Sequence, residues 1–97
     1  MSSLPDKPYV LRLYVTDASP KSARAIVNTR RLLDEHLGER YSLEILNIAE
    51  NVAQATADQI ICVPTLLRLA PPPARRIIGD MSDVARVLKG LDVPQPR

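Results

Sequence analysis

The chain has 97 residues, enough for one domain and too few for a second core. Hydrophobic residues make up 45% and charged residues 25%, which excludes a disordered chain, and a net charge of +2 without a basic stripe gives no case for nucleic acid. One cysteine, Cys62, excludes an internal disulfide framework and suits a reducing cytosol. With no Trp, no Phe and three Tyr, the core must be aliphatic and the margin of stability small.

Met1 to Pro8 has no apolar stretch of the signal-peptide kind, and no segment reaches the length of a membrane span, so a cytoplasmic protein is expected. Tyr9-Val-Leu-Arg-Leu-Tyr-Val15 is β-branched, aromatic and almost continuously apolar, as a strand covered on both faces would be. Ser19 and Pro20 then mark a helix start, the serine as a cap and the proline at the first helical position. Ala23, Ile26, Val27, Leu33 and Leu37 recur at helical spacing, with Arg24, Asn28, Arg31 and Glu35 turned away, and Gly38 stands where a left-handed cap is expected. Tyr41 to Ile48 reads as a second strand, completing a right-handed βαβ unit.

Ala49 to Gln59 predicts a short helix, weakly anchored because Val52 is its only large apolar residue. Ile60 to Leu69 is an apolar run broken by Pro64, which belongs at the start of a strand or on an edge. Pro71-Pro72-Pro73 forces an extended connection, and Ala74 to Ile78 predicts a strand returning antiparallel to Thr65–Leu69. Gly79-Asp80 turns the chain, Ser82 is the expected cap with Asp83 in the first turn, and Val84, Val87, Leu88 and Leu91 form the apolar stripe of a last helix. Pro94 and Pro96 end regular structure, so residues 1–8 and 93–97 are expected to be flexible tails on a single domain.

The resulting order, β-α-β-α-β-β-α, is that of an α/β, thioredoxin-like, three-layer fold, and Val63-Pro64 before Thr65 resembles the cis-proline that opens its third strand. The chemistry of that fold is not carried over. A disulfide enzyme needs a thiolate at the start of the first helix, and Thr16 to Ser22 contains no sulfur. Cys62, inside an apolar run, reads as a small buried hydrophobe. His36 is the lone histidine, set among Asp34, Glu35 and Glu39 as a solvated surface group, and makes no zinc set. Gly38, Gly79 and Gly90 are too scattered to cradle a phosphate, and Ser19 and Ser22 have no histidine base nearby. No catalytic residue, cofactor site or metal site is expected.

Several strings resemble the KaiB family of circadian clock proteins: Tyr9 to Val15, Ser19-Pro20 with Ser22 to Ala25, Tyr41 to Ile48, Val63 to Leu66, Val87 to Asp92, and above all Pro71-Pro-Pro-Ala-Arg-Arg-Ile-Ile-Gly-Asp80. The resemblance implies a non-enzymatic protein that docks on the ATPase ring of KaiC, competes there with a sensor histidine kinase domain, and sequesters KaiA. It also implies a metamorphic chain, with a homo-oligomeric (dimeric or tetrameric) ground state and a monomeric thioredoxin-like binding state. The weak patterning of Ala49–Arg76 is compatible with two packings a few kcal/mol apart. The legible hairpin and capped last helix favour the thioredoxin-like state.

Gly90 and Asp92 match positions governing the balance of the two folds, and Tyr9, Pro64, Pro71, Pro72 and Pro73 match positions tied to the switched architecture; Gly90 also reads as a helix cap. Lys7, Arg24, Pro71, Pro72, Arg75 and Arg76 are the candidate partner contacts, since arginine forks suit interface carboxylates. Glu44 and Gln59 stand where clock members of the family carry lysines, and the acidic C-terminal extension is absent; both bear on partner choice. Two other readings remain open: the sensory domain of a KaiC-reading histidine kinase, and a thioredoxin-like redox or stress protein.

Overall fold

The first helix begins where Ser19 and Pro20 place it. In the computed structural model, which describes residues 8–17 and 19–92, Ser19 Oγ accepts from Ser22 N at 3.2 Å and Pro20 opens α1 (Pro20–Leu37). Gly38, at φ 61°, closes the helix, its N–H bonded to Asp34 O. Before α1 runs β1 (Tyr9–Val15); after it come β2 (Tyr41–Asn47), a 3₁₀ turn (Ile48–Glu50), α2 (Val52–Ala57), β3 (Thr65–Ala70), β4 (Arg75–Ile78) and α3 (Val84–Gly90). The element order is thus the predicted one, with a 3₁₀ turn taking Ile48 out of the second strand.

The strands form one sheet in the order β2-β1-β3-β4, with β1 and β2 parallel and the other pairs antiparallel. Alternation along β1 divides the interior in two. Leu11, Leu13 and Val15 join Leu66, Ile77, the inner face of α1 and Val87, Leu88 and Leu91 in one large cluster. Tyr14 points the other way, into a small cluster with Leu46 and Ala55 beneath α2. The sheet is the middle of three layers.

Several expectations shift by a residue or a face. On α1 the buried stripe is Ser22, Ala25, Thr29, Leu32, Leu33 and Leu37, while Ala23 and Val27 are exposed. A helix packed close to a sheet favours small residues at the contact, and Ser22 tolerates burial because its Oγ accepts from Thr16 N at 3.1 Å. On α2 it is Ala55 that packs inward, and Val52 is exposed. Asp83, not Ser82, caps α3: the Asp80 carboxylate takes the Ser82 N–H, and Asp83 Oδ1 receives the Arg86 N–H at 3.1 Å. That later start leaves Val84 exposed.

Cys62 is exposed rather than buried. The apolar run around it is not one strand: residues 62–64 bend, Thr65 Oγ1 bonds to Cys62 O, and only from Pro64 onward does the chain enter the core. Val63-Pro64 is cis, as the fold resemblance implies, and Pro64 is fully buried with its carbonyl accepting from Gly79 N at 3.0 Å. Gly90 is no cap. It lies inside α3, and the chain is turned by Asp92, at φ 58°, whose N–H reaches Lys89 O. Space is tight at 90: a Cβ there would sit 2.0 Å from Ile77 Cδ1, so a side chain fits only if that terminal methyl moves.

Candidate functional site

Antiparallel pairing brings the start of β1, the end of β3 and the start of β4 to one end of the sheet, and α3 finishes there. Tyr9, Pro71, Pro72, Pro73, Arg75, Gly90 and Asp92, singled out separately in the sequence, therefore converge. At their centre is Arg68, 2% exposed, a residue that sequence reasoning passed over. Its guanidinium donates to Leu91 O through Nη1 and to Pro73 O through Nη2 at 2.8 Å, tying the proline-rich connection to the end of α3. Its Nε has no hydrogen-bond partner among the described residues. The signal was an arginine in the middle of Thr-Leu-Leu-Arg-Leu-Ala, where a strand covered on both faces leaves no side for a solvated charge.

Pro64 and Arg24 lie at the opposite end. Arg24 Nε contacts Asp80 Oδ2 at 3.2 Å, and Asn28 Nδ2 donates to Asp80 O, fastening α1 to the loop before α3. Bonds from Ser82, then the one from Arg24, hold the Asp80 carboxyl below its ordinary pKa. Arg24 is thus engaged within the chain rather than free. Lys7 lies outside the described residues, as do 93–97 with Pro94 and Pro96.

A third set covers the α2 side of the sheet. Arg12 Nη1 reaches both Asp58 oxygens, at 3.0 and 3.3 Å, its Nε reaches Glu44 at 3.3 Å, and Tyr14 donates its hydroxyl to Asp58. Burial and the Asp58 bond push Tyr14 well above the usual tyrosine pKa. Arg76 donates to Gln59 O at 2.8 Å and Asp58 O at 3.1 Å, locking the end of α2 to β4. Glu44 therefore works inside the chain as a partner of Arg12, and Gln59 through its backbone carbonyl. Arg75 is exposed, and its side chain has no bonded partner among the described residues.

Tyr41 supplies a measurable probe of the fold. Its hydroxyl donates to Asp34 Oδ1 at 2.6 Å, and burial together with that bond pushes its pKa up to about 12. A pKa raised on folding favours the protonated form, so this contribution is fully present below about pH 10 and is lost as pH rises towards 12. Asp34→Asn should bring tyrosinate absorbance in at lower pH than in the parent chain; coincident titration curves would show that the bond does not form.

None of these sets pairs a nucleophile with a base. A cleft of about 80 Å³ between α1 and the start of α3, lined by Asn28, Glu35, His36, Met81 and Val84 among others, is far below the roughly 300 Å³ of the smallest ordinary ligand pockets. Among the described residues no group of three or more acidic, His or Cys side chains is placed to hold a metal ion, and no helix is long and apolar enough to cross a membrane. The arrangement offers surface and hydrogen-bonding groups.

Comparison with known proteins gives a family and a fold. The KaiB domain model matches residues 12–93. A circadian clock protein KaiB3 from Synechocystis sp. is 46% identical over 84 residues, covering 87% of this chain and 82% of that protein. A circadian clock oscillator protein KaiB from Prochlorococcus marinus is 45% identical over 89 residues, 92% of this chain and 75% of its own. The solved N-terminal domain of Synechococcus elongatus SasA superposes with a TM-score of 0.74 at 20% identity, over the whole of this chain and 94% of that one. Mitochondrial thioredoxin 3 of Saccharomyces cerevisiae gives 0.71 at 11%, over 89% and 78%. At such identities the two structures speak for the fold, which is thioredoxin-like, while the family model and the close relatives place the chain in the KaiB family.

Proposed function

We propose that this chain is a regulator without enzymatic activity, acting as a single cytoplasmic domain that docks in its thioredoxin-like state onto the ring of a KaiC-like ATPase. The observation that carries this reading is the KaiB domain match over residues 12–93, with 46% identity to a circadian clock protein; the fold shared with the SasA N-terminal domain accords with it. Two proteins of one shape can compete for one docking surface, so occupancy by one excludes the other. A KaiA-like protein is a further partner in this scheme, and a homo-oligomeric state of different fold is the reservoir from which the binding state is drawn. Nucleic acid and membrane play no part in it.

Of the candidate contacts among the described residues, Arg75 is the arginine whose side chain makes no hydrogen bond within the chain; Pro71 and Pro72 beside it are exposed and rigid. The alternative of a kinase sensory domain draws on the same structural match, but identity of 20% there against 46% to a free-standing clock protein favours the regulator.

Size-exclusion chromatography with light scattering tests the proposal. Mixed with its cognate KaiC-type ATPase and ATP, the chain should enter a complex slowly, the delay reflecting a sparsely populated binding state. A SasA-type N-terminal domain should displace it, and Arg75→Glu should weaken the complex by several-fold at least. No complex at any ratio or incubation time would remove KaiC as the partner.

A further inference from the structure

Strand β4 is an edge: β3 pairs along one side of it, and no described strand pairs along the other. Gly79 N bonds across to Pro64 O on the β3 side. Pairing groups alternate along an antiparallel ladder, so Ile77 and Arg75 also face β3, while the N–H and C=O of Arg76 and Ile78 face outward. Arg86 agrees with this assignment, because its Nη2 reaches round to Ile78 O at 3.1 Å.

Three guanidinium groups flank this short edge, and none meets a carboxylate among the described residues. Arg76 donates to two backbone carbonyls, Arg86 to one, and Arg75 to none. Between them the Ile78 side chain is 42% exposed. Edge strands are commonly guarded by charge against pairing with their own kind. Here that guard has one sign: a second copy of the same edge is repelled, whereas an extended segment carrying carboxylates is attracted. The other edge strand, β2, carries Glu44 and no arginine.

We infer that β4 is a docking strand for an extended acidic segment of a partner protein, added to the sheet as a fifth strand. Backbone bonds to the N–H and C=O of Arg76 and to the N–H of Ile78 give attachment, an apolar side chain of the segment covers Ile78, and its carboxylates meet Arg75, Arg76 and the Arg86 guanidinium that already holds Ile78 O. This goes beyond docking on an ATPase ring and does not depend on it.

The probe is a fluorescein-labelled synthetic peptide alternating Glu with Val and Thr, titrated into the full chain by anisotropy, with a Lys-for-Glu peptide as control. The Glu peptide should bind, more weakly as ionic strength rises from roughly 0.05 to 0.5 M, and the Lys peptide should not. In ¹⁵N NMR the Arg76 and Ile78 amides should shift. Ile78→Pro removes an outward donor at an edge position that tolerates proline, and should weaken binding roughly three- to tenfold. Arg75→Gln should weaken it by up to about fivefold. Circular dichroism melts establish that both variants are folded. Absence of binding, undiminished binding to folded Ile78→Pro, or amide shifts confined to β2 would each overturn the assignment.

Discussion

Arg68→Ala should lower the unfolding free energy by about 3 kcal/mol in urea titration, a large share of what a chain of this size has. Truncation leaves a cavity in a strand covered on both faces and takes the donors from Leu91 O and Pro73 O. Leu91 is fully buried, so its carbonyl has no water to turn to, and an unsatisfied buried acceptor costs about 1–3 kcal/mol. Arg68→Met is the telling contrast. It keeps the volume and removes a buried charge that faces no carboxylate, a replacement that is often neutral or better. It still leaves Leu91 O without its donor, so we expect a loss of about 1–3 kcal/mol, smaller than for alanine because no cavity forms, with faster amide exchange around Leu91 and Asp92, where the tie is lost. Equal losses for Ala and Met would assign the effect to the hydrogen bonds; no loss for Ala would show that the end of α3 holds without them.

Gly90→Val should cost about 2 kcal/mol by crowding. A Cβ at this position meets Ile77 Cδ1 at 2.0 Å and Cγ1 at 3.2 Å, inside a packed seam between α3 and β4. Valine adds two methyl groups, and its modest gain in helix propensity over glycine is worth only a few tenths of a kcal/mol. Ile77→Ala empties the space that Gly90→Val needs, so the double variant should lose clearly less than the two single losses added together. Additive losses would mean that the two side chains do not meet. For alanine at 90 the propensity gain is larger and one flexible methyl must move, so Gly90→Ala should be much milder than Gly90→Val.

How much of this was legible follows from where chemistry is local. Ser19, Pro20 and Gly38 fix α1 by their own backbone requirements, so its ends were read from sequence to the residue. Its buried face was not: Ser22 and Thr29 point inward, and a hydrophobicity pattern has no means of seeing that a serine will find Thr16 N. The return of β4 on β3 was legible from Pro64, the three prolines and Gly79. Contacts between distant residues were not. Arg12 with Asp58, Arg24 with Asp80, Arg68 with Leu91 and Arg76 with Gln59 join residues separated by 17 to 56 positions, and nothing in either local string announces the other. Arg24 and Arg76, two of the candidate contacts, also make bonds within the chain, to Asp80 and to the carbonyls of Asp58 and Gln59, which their local strings do not announce. Cys62 misled for the same reason, because an apolar neighbourhood in sequence is not one in space.

The two faces of the sheet differ in how firmly they are held, and this governs where the sequence can change. Toward α1 and α3 lie Leu11, Leu13, Leu33, Leu66 and Val87 with their neighbours, each touching several others. Toward α2 the buried cluster is the smaller one, Tyr14, Leu46 and Ala55 with the partly buried Ile48, Ile60 and Val63 against it, and Val52 and Ile61 stand outside in water. A substitution on the first side disturbs many contacts at once, whereas one on the surface of α2 disturbs few. The α2 layer is therefore where lineages of this fold can drift, acquiring new surface chemistry while the opposite layer keeps the domain intact.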